Sequence, residues 1–61
     1  MRMKKLDTFY VTLESGRGKE ISFTTEAKNM EDVENLAGRE YPRHILTKIE
    51  NLTTGKTKTW N

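Results

Sequence analysis

Apolar and polar residues alternate along two short stretches early in the chain. From Thr8 to Glu14, Phe9, Val11 and Leu13 fall on one side and Thr8, Tyr10, Thr12 and Glu14 on the other, the period of a half-buried strand. Ile21 and Phe23 repeat the pattern over Glu20 to Thr25. Ser15-Gly16-Arg17-Gly18 separates the two runs with glycines free to take positive φ, so the pair reads as a hairpin. The period then changes. Between Asn29 and Tyr41 the apolar residues Met30, Val33, Leu36, Ala37 and Tyr41 recur at helical spacing. Asn29 serves as an N-cap, Glu31, Asp32 and Glu34 suit the positive end of the helix dipole, and Pro42 stops the run. Gly38 costs about 1 kcal/mol relative to alanine in a helix interior. Because Tyr41 falls on the apolar face, the helix is expected to continue through Gly38, with the glycine allowing close packing on the sheet.

Arg43 to Leu52 alternates again, with Ile45, Thr47 and Ile49 on one face and Leu46, Lys48, Glu50 and Leu52 on the other. Thr53-Thr54-Gly55 reads as a hairpin turn, and Lys56 to Trp60 as a short fourth strand. The order ββαββ predicts an α+β fold: a four-stranded antiparallel sheet of order 2-1-3-4 with one helix packed on one face. The other face has no second layer in this chain, and function is expected there. Residues 1–61 make one domain, of which 1–6 are a basic tail.

At 61 residues the core is small, and a homodimer or a bound partner would supplement it. The chain has no cysteine and one histidine, so disulfides are excluded and neither a metal nor a cofactor site is expected. The start Met-Arg-Met-Lys-Lys-Leu is basic with no apolar run after it, which argues against a signal peptide or a membrane helix and for the cytoplasm. Net charge is +2, but its distribution is uneven. Residues 26–42 carry Lys28 and Arg39 against Glu26, Glu31, Asp32, Glu34 and Glu40, while both flanking segments are net basic. The domain is therefore expected to have two electrostatically different sides.

The motifs that resemble chemistry fail on context. Gly55-Lys56-Thr57 matches the end of a phosphate-binding loop, but Glu50 stands where its first glycine belongs and no helix follows. Ser15-Gly16-Arg17-Gly18-Lys19 is glycine-rich and basic, and reads as a solvated hairpin tip. His44 has no carboxylate at motif spacing and reads as structural. An enzyme is not expected. A binding surface is. With a three-residue turn at Thr53-Thr54-Gly55, Lys58 lies opposite Glu50 and Trp60 opposite Lys48, and the open face gathers Tyr10, Leu46, Lys48, Glu50, Lys58 and Trp60. That set suits a protein-binding hot spot. With a four-residue turn the parity flips and Trp60 turns inward beside Ile49. Both registers fit the pattern. The alternative partner is nucleic acid, bound by Arg2, Lys4, Lys5, Arg17, Lys19, Lys48, Lys56 and Lys58 together with the aromatic residues of the sheet.

Three stretches carry a resemblance: Phe9-Tyr10-Val11-Thr12-Leu13-Glu14-Ser15, Glu26-Ala27-Lys28-Asn29-Met30-Glu31-Asp32-Val33 through Tyr41, and Thr47-Lys48-Ile49. Over roughly residues 8–50 the chain resembles a family of very short phage proteins, the T-odd coliphage inhibitors of bacterial RNA polymerase. Its end from helix to tryptophan is also similar to small type I anti-CRISPR proteins. The resemblance implies a phage-type, non-enzymatic protein that takes over or inhibits a host protein complex, a polymerase or a CRISPR defence assembly, in the host cytoplasm. In the polymerase inhibitors two third-strand arginines grip an acidic patch of the target. The matching positions are Lys48 and Glu50, which keep one positive charge without the arginine fork and reverse the other.

Overall fold

The computed structural model describes residues 5–60, so the expectations placed on Arg2 and Lys4 lie outside the described residues. Within them the chain runs β1 (Asp7–Ser15), β2 (Glu20–Ala27), α1 (Met30–Glu40), β3 (His44–Asn51) and β4 (Thr57–Thr59). The strands form one antiparallel sheet in the order β2-β1-β3-β4, with the helix on one face, an α+β fold. No described helix is long and apolar enough to cross a membrane.

The β1–β2 hairpin follows directly from its alternation. Its register runs without interruption from Glu14 opposite Glu20 to Asp7 opposite Ala27. The turn is closed by the Ser15 N–H donating to the Lys19 carbonyl at 2.8 Å and the Gly18 N–H to the Ser15 carbonyl at 2.9 Å. Gly18 takes φ of 80° to complete this three-residue loop, a conformation that a side chain would strain.

Phe9, Val11 and Leu13 from β1, Val33 and Ala37 from α1 and Ile49 from β3 are buried together as the core. Ile21, Phe23, Ala27, Met30, Tyr41, Leu46 and Trp60 pack around them. Leu36 is half-buried, whereas Ala37 is fully covered. The helix begins where Asn29 Oδ1 accepts from the Asp32 N–H at 2.9 Å. It ends where the Tyr41 N–H donates to the Ala37 carbonyl at 2.9 Å. The Tyr41 ring then stacks on Phe23, with centroids 5.4 Å apart, and His44 meets it edge-on at 5.6 Å. His44 is thus part of the aromatic clasp between the helix end and β2.

The helix does continue through Gly38, but not for the expected reason. Gly38 is exposed, and a Cβ built on it meets nothing within 4 Å. It gives no close approach to the sheet and only costs backbone entropy. Gly38→Ala is therefore expected to stabilise the fold by about 0.5–1 kcal/mol, read as a higher urea midpoint at unchanged slope.

The third strand departs from simple alternation. Val11 lies opposite Ile49 and Thr12 opposite Lys48, but Leu13 lies opposite Leu46, so Thr47 is an extra residue in β3. Side chains before the bulge are consequently flipped relative to those after it. Leu46 turns toward the helix and packs on the core, while Ile45, expected inside, is 62% exposed on the opposite face. Strict alternation would have put the Thr47 hydroxyl inward opposite Leu13. Instead Thr47 Oγ1 donates to the Thr12 carbonyl at 3.1 Å, and its own carbonyl accepts from the Trp60 N–H at 2.9 Å.

The last hairpin uses the four-residue loop. The Asn51 N–H donates to the Lys56 carbonyl at 2.7 Å, enclosing Leu52-Thr53-Thr54-Gly55, with Gly55 at φ 84°. Lys58 therefore lies opposite Ile49 rather than Glu50, and Trp60 follows it onto the helix side.

Candidate functional site

Register alone maps the face turned away from the helix. Its rows across β2, β1, β3 and β4 are Glu20, Glu14 and Ile45; then Ser22, Thr12, Lys48 and Thr59; then Thr24, Tyr10, Glu50 and Thr57. Below them Glu26 lies opposite Thr8, and the Leu52 N–H donates to the Thr8 carbonyl at 2.8 Å.

Of the six expected contact residues, Tyr10, Lys48 and Glu50 do share this face. Leu46, Lys58 and Trp60 do not. Leu46 is turned inward by the Thr47 bulge, and the four-residue loop turns Lys58 and Trp60 to the helix side. There Lys58 Nζ lies 3.2 Å from Glu34 Oε2 and 5.0 Å from the Trp60 ring centroid, so it ties β4 to the helix. Both groups of that ion pair are substantially solvated, which keeps its contribution small.

The cations expected to hold nucleic acid are scattered by the same topology. Arg17 and Lys19 sit at the β1–β2 tip, Lys56 at the β3–β4 end of the sheet and Lys58 against the helix, which leaves Lys48 as the one cation among the strand residues of the open face. Lys5 precedes β1 and is exposed.

The open face is acidic. Its strand residues place the carboxylates of Glu14, Glu20, Glu26 and Glu50 against the single ammonium of Lys48, net −3. Glu14 and Glu20 lie directly opposite each other, a like-charge pairing that works against the hairpin. Most of the remaining surface is short hydroxyl side chains: Thr8, Thr12, Ser22, Thr24, Thr57 and Thr59. These make a flat floor from which Tyr10 rises, 38% exposed, with its hydroxyl donating to Ser22 Oγ at 2.8 Å. That bond favours one ring orientation, which lowers the entropic cost of a contact there. Exposed Ile45 and Leu52 sit toward opposite ends of β3.

Glu14, Glu20, Glu26 and Ile45 were not among the expected site residues. The first three follow from counting outward from the Ser15–Lys19 turn, whereas Ile45 depends on the bulge. Among the described residues there is no enclosed pocket and no group of three potential metal ligands. The chain matches no protein-family model, no curated protein and no solved structure.

Proposed function

We propose that this chain is a non-enzymatic interaction module whose open sheet face docks on a basic surface of a larger protein assembly and obstructs it. The observation that carries this reading is the exposed Tyr10, hydrogen-bonded to Ser22 and level with Glu50, on a flat hydroxyl floor that bears Glu26 at one end and Glu14 and Glu20 at the other. An anchored aromatic at the centre of a surface is the usual form of a binding hot spot. Surrounding charges of one sign steer encounter with an opposite surface and set partner choice. The resemblance to short phage inhibitors supports a host machine as the target. The sign of the contact is reversed, however, because Glu50 and its neighbours seek lysine and arginine. Basic surfaces are common on machines that handle nucleic acid.

Affinity capture from a bacterial lysate, followed by titration of the captured protein, tests this. Tyr10→Ala is expected to weaken binding at least about tenfold, as for a central aromatic anchor. Glu50→Lys should weaken it more at low salt than at high salt, since rim charges act through screened electrostatics. Arg39→Glu, on the helix and so away from the open face, should change little. If Tyr10→Ala and Glu50→Lys leave the captured partner and its affinity unchanged, the face is wrong. Tight, steeply salt-dependent binding of mixed-sequence DNA or RNA by the chain itself would also sink the proposal.

A further inference from the structure

The sheet has two edges, and they are finished differently. β4 is three residues long, with Lys58 at its centre and Lys56 just before it, the short lysine-bearing form that discourages further pairing. β2 is eight residues long, with no lysine, no proline and no register shift. Its outward hydrogen-bonding groups can be assigned. The Leu52 N–H donates to the Thr8 carbonyl, so even-numbered residues of β1 bond to β3 and odd-numbered ones to β2. Glu20, Ser22, Thr24 and Glu26 on β2 therefore direct their amides and carbonyls to the free edge. Above that edge, on the helix side, Ile21 and Phe23 are only partly covered.

We infer that the β2 edge pairs antiparallel with β2 of a second copy of this chain, about a twofold axis through Ser22. In this register facing residues have numbers that add to 44. Ile21 meets Phe23 of the second copy and Phe23 meets its Ile21, closing two apolar pairs over the seam on the helix side. Glu20 faces Thr24 of the second copy rather than a carboxylate. Glu26 comes level with the opposing hairpin tip, where Arg17 and Lys19 flank Gly18. Shifting the pairing by one step to centre on Phe23 would instead set Glu20 against Glu26 at both ends, a repulsion the Ser22-centred register avoids. The result is a continuous eight-stranded sheet with both helices on one side and both Tyr10 faces on the other. A strand of an unrelated protein would find the same amides but not this match of apolar and charged positions.

Sedimentation equilibrium of the purified chain over a range of concentrations tests the pairing. The expected result is a reversible rise from one chain mass to two. Thr24→Pro removes an outward N–H that takes no part in pairing with β1, a position where an edge strand tolerates proline. It should give a folded monomer by circular dichroism. Glu26→Lys should raise the dimer dissociation constant roughly tenfold at low salt, because it acts at both ends of the seam. Adding Arg17→Glu and Lys19→Glu to Glu26→Lys should restore it. The charge variants decide the matter even if the proline variant does not fold. A single-chain mass up to about 1 mM, a folded Thr24→Pro dimer, or Glu26→Lys without effect would each overturn the inference.

Discussion

Phe9→Ala is expected to leave the chain largely unfolded at room temperature. Phe9 is 1% exposed in the middle of the sheet, opposite Thr25 on one side and Asn51 on the other. Truncating a buried phenylalanine to alanine costs about 3–5 kcal/mol, from lost transfer energy and the cavity left behind. Folded domains hold roughly 0.05–0.15 kcal/mol per residue, which for this length is about 3–9 kcal/mol in total. Loss and reserve are therefore similar. The space cannot close readily, since Val11, Leu13, Val33 and Ile49 are already fully packed and belong to elements fixed by backbone pairing. Phe9→Leu, which keeps most of the volume, should cost about 1–1.5 kcal/mol and still fold. Urea titration followed by far-ultraviolet circular dichroism separates the two. A Phe9→Ala chain that melts close to wild type would mean that the core lies elsewhere.

Asn51→Ala is the second large effect, and its cause is polar. Asn51 is the one buried polar residue among those described, at 7% exposure. Its Oδ1 accepts from the Thr53 and Thr54 N–H groups at 2.9 and 3.0 Å, and its Nδ2 donates to Asp7 Oδ2 at 3.1 Å. One amide thus orders the last turn and fastens it to the start of β1. Each such bond is worth about 0.5–1.5 kcal/mol net, so alanine should cost roughly 2–3 kcal/mol. Asn51→Asp keeps the two accepted bonds but turns the third contact into carboxylate against carboxylate. It should remain well below wild type at neutral pH. Alanine and aspartate variants within about 0.5 kcal/mol of wild type, below the worth of a single net hydrogen bond, would show that the amide is not the organising group.

Most of the architecture was legible because its periods are unambiguous. β1 and β2 alternate without a break and are joined by a glycine turn, and α1 has a cap at Asn29, a 3.6-residue period and Pro42 after it. The order 2-1-3-4 then follows from one helix returning the chain beside β1. The surface was harder to read, for two local reasons. Ile45 and Leu46 are adjacent and apolar, so either can be the inward residue. The choice was made by the Thr47 hydroxyl finding the Thr12 carbonyl, a long-range partner with no sequence signature. The last turn could close over three residues or four. Asn51 decided it by capping Thr53 and Thr54 while Gly55 supplied the positive φ. These two events turned Leu46, Lys58 and Trp60 away from the open face. Its acidity has a separate source, because the β1–β2 register puts Glu14, Glu20 and Glu26 there whatever the bulge or the last loop does, and the loss of Lys58 only deepens it.

The place of β1 between β2 and β3 also sets an order of events in time. Its pairing with β2 begins at Glu14 and Glu20, six residues apart, whereas its pairing with β3 begins at Ser15 and His44, 29 residues apart. The first contact closes a short loop on the microsecond scale of hairpins. The second must first meet the entropy of bringing distant segments together. The hairpin therefore has the kinetic lead, and Phe9, Val11 and Leu13 stay uncovered until α1 brings Val33 and Ala37 onto them.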